Sequence, residues 1–275
     1  MKIEVHDTAF MIAYYRAQHE EASKDPYAKL WLEDTNVKSW TDDFASKVSE
    51  HDEILHCMRN RFFYEQLLEL TKKNPETLFI NLGAGFSMYP YVLPQTVTTV
   101  EVELPQICTY KSNKIKSFQE LDMLPQRNVI HLAGNITAET SHSDLIKSIA
   151  PFKKKKTVIL IEGVFFFLSS EEIKSVLKFC AQLQDAGELL YCVNFEDRVK
   201  NTAVFNRLKT YFSETLSSHG NPFTTLPHRY FKKVNGYTLS AIDSGLQTGK
   251  QLGLFSSNFK EETVLNEYFY ILKKL

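Results

Sequence analysis

The chain has little cysteine: four residues in 275, at positions 57, 108, 180 and 192, with no Cys-x-x-Cys pair among them. That scatter leaves a zinc site or a thioredoxin-type redox pair unsupported and fits a reduced, cytosolic setting. An excess of one charge is missing too. Lys and Arg number 32 against 33 Asp and Glu, a formal net charge of −1, so no global field would draw nucleic acid or an anionic membrane. Long hydrophobic runs are lacking. The most apolar window, 158–168, is too short for a bilayer and carries Glu162 in its middle. The opening residues, Met1-Lys2-Ile3-Glu4-Val5-His6-Asp7, lack the basic-then-apolar layout of a signal peptide. No internal repeat or low-complexity tract stands out. These absences lead us to expect a soluble, cytoplasmic protein that binds neither nucleic acid nor membrane.

What is present is ordinary in amount and particular in order. Hydrophobic residues make up 43% and charged residues 24%, and the length suffices for one large or two small domains with a full core. Aromatic content, 13% with 20 Phe and 13 Tyr, reads first as a Phe-rich core. The sole charge run, Lys153–Lys156, reads as a solvated loop. Residues 1–76 read as helical, with an N-cap at Thr41-Asp42-Asp43 for a helix over 42–57 and a second helical band over 58–73. Strand-like runs follow at 78–82, 97–102, 127–132, 157–161 and 188–194, with helices between them over 105–119, 141–150 and 170–186. The last of these helices is capped at Ser169-Ser170. Such alternation predicts a mostly parallel sheet with helices on both faces. A long helix is expected over 197–218. Two further strands, 236–242 and 268–272, are expected to be joined by a loop and to form an antiparallel pair at the sheet edge.

One stretch concentrates the functional signal. Leu78-Phe79-Ile80-Asn81-Leu82 ends in Gly83-Ala84-Gly85, a buried strand feeding a turn whose glycines let a ligand approach bare main chain. The next strand closes with Glu101-Val102-Glu103. A glycine turn after one strand and a carboxylate after the next is the arrangement by which α/β sheets hold a nucleoside, the acid on the ribose diol. Glu103 suits that role better than Glu101, which reads as a solvated edge residue. The remaining strand tips, Gly134-Asn135-Ile136, Glu162-Gly163 and Asn194-Phe195-Glu196, are polar or glycine as well. Glu162, flanked by apolar residues, must find a partner, and a ligand contact is the preferred reading. His131, the histidine at a strand tip, reads as packed or solvated. A nicotinamide enzyme fits less well, since Met88 stands where Gly-x-Gly-x-x-Gly needs its third glycine.

Taken in order, Asn81-Leu82-Gly83-Ala84-Gly85-Phe86, Glu101-Val102-Glu103-Leu104-Pro105 with Lys111, Gly134-Asn135-Ile136 and Ile161-Glu162-Gly163-Val164-Phe165-Phe166-Phe167-Leu168 resemble successive signatures of the leucine carboxyl methyltransferase family. Asp25-Pro26-Tyr27, Arg59-Asn60-Arg61-Phe62 and Asn194-Phe195-Glu196 resemble further elements, so the likeness runs from about 25 to 200. It implies a Rossmann-like α/β fold, with a seven-stranded, mostly parallel sheet, an antiparallel C-terminal pair and a helical N-terminal cap. The implied organisation is a single domain: cap 1–76, cofactor-binding core 77–196, helical lid 197–235 and terminal strands 236–275.

The resemblance further implies an S-adenosylmethionine-dependent O-methyltransferase acting on a carboxylate or hydroxyl of a small molecule or peptide tail. Arg59, with Arg61 as fallback, would take the methionine carboxylate. Gly83 and Gly85 would lie under methionine and ribose, Glu103 on the ribose hydroxyls, Asn135 and Ile136 beside adenine, and Glu162 near the positive methionine end. Tyr89, Tyr91, Tyr14 and Tyr15 are candidates for the acceptor pocket, and no catalytic base is assigned. The chain departs from the family in Ser87-Met88-Tyr89, where Asp-Thr-Arg is usual, and in Glu103 and Asn135, both usually Asp. Those departures keep open a catalytically silent relative that binds nucleoside or serves as a scaffold.

Overall fold

A computed structural model describes residues 8–32, 37–215 and 223–275. Among these residues four α-helices precede the sheet: α1 (Thr8–Gln18), α2 (Glu20–Ser23), α3 (Val37–Lys47) and α4 (Asp52–Lys73). Then come β1 (Thr77–Leu82), α5 (Tyr89–Val92), β2 (Thr98–Glu103), α6 (Pro105–Glu120), β3 (Val129–Ala133), α7 (Glu139–Ile149), β4 (Lys156–Ile161), α8 (Ser170–Leu183) and β5 (Leu189–Phe195). The chain closes with α9 (Ala203–Thr215), α10 (His228–Phe231), β6 (Tyr237–Ser244), α11 (Gly245–Gln251) and β7 (Glu267–Lys274).

The seven strands form one sheet in the order β3-β2-β1-β4-β5-β7-β6. The first five are mutually parallel, and β7 runs antiparallel to both β5 and β6. This is the α/β architecture expected from the sequence, antiparallel pair included. Strand faces follow the period of two. On β1, Phe79 packs with Phe63 and Phe269 on one face of the sheet, while Leu78, Ile80 and Leu82 join Val100, Val102 and the helices α7 and α8 on the other. Every residue of β1 is buried, as befits a strand covered on both sides. The chain winds outward through β1, β2 and β3, then returns to place β4 on the other side of β1. That reversal opens a crevice beyond the carboxyl ends of β1 and β4.

Helix α8 shows how local sequence sets an element. The Ser169 hydroxyl accepts from the Glu172 N–H at 3.2 Å, and the Glu172 carboxylate accepts from the Ser169 N–H at 2.8 Å, a reciprocal cap on two otherwise orphaned donors. Ser169→Ala is expected to cost about 1 kcal/mol and to lower the melting temperature by roughly 2–4 °C, measurable by calorimetry with α8's contacts otherwise intact.

Three sequence expectations need correction. The helix expected over 42–57 is two helices, because the chain turns at 48–51 and α4 starts at Asp52. Val48 and Ser49 are buried in that turn, and the expected cap residue Thr41 lies inside α3, its hydroxyl donating to the Lys38 carbonyl at 2.9 Å. The helix expected over 197–218 opens with a 3₁₀ turn, Asp197–Asn201, and breaks at extended Thr202 before α9; residues 216–218 lie outside the described ones. The link between the terminal strands contains α11, capped by Ser244 and burying Leu246. Gly245 and Gly249 lower helix propensity there, and packing on α4 overrides it.

Glu101 also differs from expectation. It is 1% exposed, because β3 extends the sheet past β2 and α6 covers that face. Its carboxylate pairs with Lys111 Nζ at 2.8 Å and with His131 at 3.3 Å. The run Lys153–Lys156 is partly engaged, with Lys153 on Asp185 and Lys155 on Glu76. Among the described residues no helix is long and apolar enough to cross a membrane.

Candidate active site

At the crevice, the turn after β1 is built around two residues with left-handed backbone, Gly83 (φ 69°) and Gly85 (φ 45°). A Cβ on Gly83 would stand 2.4 Å from Val164 Cγ2 in the turn after β4, so only hydrogen lets the β1 and β4 turns approach. Asn81 Nδ2 donates to Ser87 Oγ at 2.8 Å, and Ser87 Oγ donates to the Ala84 carbonyl at 2.8 Å. Lys111 Nζ donates to the Ser87 carbonyl at 3.1 Å. Ser87 thus fixes the turn from within, and Lys111 ties it to α6.

Glu103, at the end of β2, aims its carboxylate back across the turn. Oε1 accepts from the Gly85 N–H at 2.8 Å and Oε2 from the Leu104 N–H at 2.9 Å. Beyond β3, Asn135 Oδ1 accepts from both the Thr137 N–H at 2.9 Å and the Thr137 hydroxyl at 2.8 Å. The acceptor side of this amide is filled, so the group it offers a ligand is the Nδ2 donor.

A charged cluster closes the other end. Arg59, 4% exposed on α4, donates through Nε to Glu162 Oε1 at 2.7 Å and through Nη1 to both oxygens of Glu267 at 2.8 Å. The Tyr89 hydroxyl donates to Glu162 Oε2 at 2.6 Å. Burial alone would push the Glu162 carboxyl up, but Arg59, Arg16 and the Tyr89 hydroxyl together hold it below the usual carboxylate range. Burial likewise opposes charge on Arg59, and Glu267 and Glu162 outweigh it and raise its value. Arg16 is spent on Asp25, at 3.2 Å from Nε, and on the Phe86 carbonyl, at 2.9 Å from Nη2.

All seven residues expected to hold the cofactor, namely Arg59, Gly83, Gly85, Glu103, Asn135, Ile136 and Glu162, line one cavity of about 520 Å³. The acceptor candidates fare differently. Tyr89 is 1% exposed and stands behind Glu162. Tyr91 is 2% exposed and packs with Trp31 and Phe86 away from the cavity. Both are corrections, caused by α5 turning its rings into the core. Tyr15 does line the cavity, whereas Tyr14 packs against the core on the Phe79 face of the sheet and against the small cluster of Tyr15, Cys57 and Met58. Arg61 points outward onto Glu65 at 2.8 Å, leaving Arg59 as the inward guanidinium. Sequence reasoning missed Asp52, His56 and Glu267, which also line the cavity. A usable signal was there, since Asp52, His56 and Arg59 fall four and then three residues apart, on one helical face.

The buried ion pairs set an acid limit. Glu101 is pushed up by burial, and Lys111 and His131 outweigh that and hold it low. Glu101 and Glu162 both have folded values below the ordinary 4.5, so their contribution is complete above about pH 4.5 and is lost as pH falls through the folded values. Asp25 acts oppositely, its carboxyl raised by burial in spite of Arg16. Urea midpoints are expected to drop steeply below pH 4.5, and less steeply in Glu101→Gln, whose starting stability is lower because Lys111 is left unpaired.

The strand order, with its reversal beside β1, places the cavity where α/β sheets bind their ligands. The model for the leucine carboxyl methyltransferase family matches residues 9–181. The chain belongs to that family and is an S-adenosylmethionine-dependent methyltransferase. Among solved structures it is similar to a DUF574 family protein from Streptomyces avermitilis, at 11% identity over 98% of this chain and 97% of that one, TM-score 0.67. It is also similar to a SAM-dependent methyltransferase from Anabaena variabilis, at 12% identity over 74% and 79%, TM-score 0.51. A third is magnesium protoporphyrin IX methyltransferase from Synechocystis, solved with bound SAH, at 11% identity over 86% and 100%, TM-score 0.50. At such identities these likenesses show the fold. No curated protein matches the chain.

Proposed function

We propose that the cavity holds S-adenosylmethionine along the strand tips and that the chain transfers methyl to an acceptor oxygen, a carboxylate or hydroxyl of a small molecule or peptide tail. The observation that carries this reading is the convergence of seven residues, from the ends of β1, β2, β3 and β4 and from α4, on a single cavity. Its chemistry suits the cofactor. The Gly83–Gly85 turn presents bare main chain at the cavity wall, and a Cβ at Gly83 would strike Val164. Glu103 would exchange a backbone N–H for ribose hydroxyls, Asn135 Nδ2 would donate to the adenine edge, and Ile136 would cover its face. Arg59 Nη2, the arm of the guanidinium not taken by Glu162 or Glu267, would receive the methionine carboxylate. Glu162 would offset the positive charge at that end.

The bound cofactor supplies an activated methyl on a good sulfonium leaving group, so the protein's share is alignment and exclusion of water. The β1 turn and Arg59 would fix one reactant. Burial beneath Phe166 and Phe167, which also line the cavity, would keep water from the other. The silent-relative alternative rested on Ser87-Met88-Tyr89. Ser87 shapes the turn through its own hydrogen bonds, so nothing in the geometry favours that alternative.

Titration calorimetry with S-adenosylmethionine and its demethylated product tests the reading. Micromolar binding that weakens at least tenfold in Glu103→Ala supports it. Absence of binding at high micromolar ligand contradicts it, and transfer of labelled methyl to any acceptor eliminates the silent relative.

A further inference from the structure

The cavity is longer than a nucleoside site. Its lining passes from Asn135 beyond β3 through the β2, β1 and β4 tips to Phe195 on β5 and Glu267 on β7, five strand spacings, or roughly 24 Å at about 4.8 Å each. If the cofactor occupies the β3-to-β4 portion, the part over β4, β5 and β7 remains for the acceptor, and this inference rests on that reading. The remaining part is walled by Phe44, Phe166, Phe167, Phe195, Phe212 and Phe223. Its floor carries Asp52, Glu162 and Glu267. Among the described residues, the cationic side chains lining the cavity are Arg16, Arg59 and the protonatable His56, and both arginines are already committed to carboxylates. A carboxylate acceptor would therefore enter an apolar chamber in which Arg16 is held by Asp25, and Arg59 by Glu162, Glu267 and, on that reading, the cofactor carboxylate, so no guanidinium arm is left for it, which is strongly unfavourable.

His56 is the group on this floor suited to take a proton. It lies on α4 one turn from Asp52 and one turn from Arg59, with its ring stacked on Tyr15 at 5.8 Å between centroids. Nε2 is 3.1 Å from Asp52 Oδ2, and Nδ1 is 3.8 Å from Glu267 Oε1. Nδ1 is buried with no hydrogen-bond partner. The groups facing this ring are thus Asp52 and Glu267 on its two edges, Tyr15 on its face, and Arg59 beyond Glu267.

We propose that the acceptor is an uncharged, apolar, aromatic hydroxyl compound and that His56, positioned by Asp52, is its base, so that the reaction is ether formation at a hydroxyl rather than esterification of a carboxylate. The acceptor O–H bond breaks and its proton passes to Nδ1 of the imidazole, the ring nitrogen with no hydrogen-bond partner, while Nε2–H stays on Asp52. The oxygen lone pair forms the new O–CH₃ bond as the CH₃–S bond breaks, with that bonding pair going to sulfur. The products are a methyl ether and a thioether, and the imidazolium returns its proton to water after release. The net charge of the floor is the same before and after, because the positive charge lost at sulfur reappears on His56.

The test uses the full-length protein and matched probes. With S-adenosylhomocysteine bound, nitrophenol is titrated by absorbance of its phenolate. The expected result is a bound-state ionisation at lower pH in the wild type than in His56→Gln, with nitrobenzoate showing no saturable binding. In labelled methyl transfer, phenol or naphthol is expected to be methylated and benzoate or naphthoate not. His56→Gln is expected to slow turnover roughly a hundredfold or more at near-unchanged cofactor affinity, with the loss shrinking as pH approaches the acceptor's own ionisation. Asp52→Asn, a milder change should His56→Gln unfold, is expected to give a smaller loss of the same pH shape. Faster transfer to the carboxylates, or equal turnover and equal nitrophenol ionisation in wild type and His56→Gln, overturns the proposal, as does bound cofactor with no aromatic hydroxyl methylated. Failure of the cofactor itself to bind is a separate result and strikes the methyltransferase reading.

Discussion

Replacing Arg59 by Ala is expected to abolish detectable cofactor binding and to lower the melting temperature by roughly 10 °C. The stability part follows from burial. Arg59 side-chain exposure is 5%, against 9% for Glu162 and 6% for Glu267, so removing the guanidinium leaves two carboxylates without their cation. Breaking a buried pair in this way costs about 3–5 kcal/mol, which for a chain of this size corresponds to roughly 2–4 °C per kcal/mol. The binding part follows from the third arm, Nη2, which faces the Gly163 turn. The two parts separate in a combined variant. Arg59→Met with Glu162→Gln and Glu267→Gln removes all three charges and is expected to recover most of the stability and none of the affinity. Recovery of both, read by calorimetric unfolding and titration, would mean that Arg59 is only a structural partner of the two acids. Arg59→Lys is expected to fall between, since an ammonium cannot bridge two carboxylates and a ligand in one plane.

Gly85→Val is expected to cost at least a hundredfold in cofactor affinity while leaving a folded protein. Space for the side chain exists, as a Cβ at Gly85 would lie 3.6 Å from Ala9 Cβ, ordinary contact. The cost comes from elsewhere. At φ 45° a β-branched residue is strained by about 1–3 kcal/mol, and the added methyls stand in the cavity where bare main chain now meets Glu103. Equilibrium dialysis with labelled S-adenosylmethionine reads the affinity and circular dichroism the fold. Undiminished affinity in Gly85→Val would place the ligand elsewhere. Gly83→Ala is the harsher change, because Val164 Cγ2 would stand 2.4 Å from its Cβ, and a companion Val164→Ala is expected to relieve it in part.

The sequence made the sheet readable because its strands are short apolar runs ended by glycine or acid, and because those ends are also where ligands bind in this architecture. Gly83, Gly85, Glu103 and Glu162 could be named for that reason. Residues that reach the site from elsewhere could not be named the same way. His56 and Asp52 sit on a helix whose apolar stripe is weak, and Glu267 opens an antiparallel strand about two hundred residues from Arg59. Only tertiary packing brings them together. Glu101 shows the reverse failure. Its place at a strand tip suggested solvent, and its burial depends on β3 and α6 lying over it. Tyr89 and Tyr91 followed a glycine turn closely enough to suggest a pocket, yet α5 buries both. Helix boundaries at 48–51 and at Thr202 were lost because neither turn contains a Gly or Pro to mark it.

The most direct test of the account is a crystal structure with S-adenosylhomocysteine bound. It is expected to show adenine between Asn135 and Ile136, the ribose diol on the Glu103 carboxylate, and the amino-acid end on Arg59 above the Gly83–Gly85 turn. A ligand found anywhere outside the β1/β4 crevice, or one that leaves Glu103 and Arg59 untouched, would contradict it.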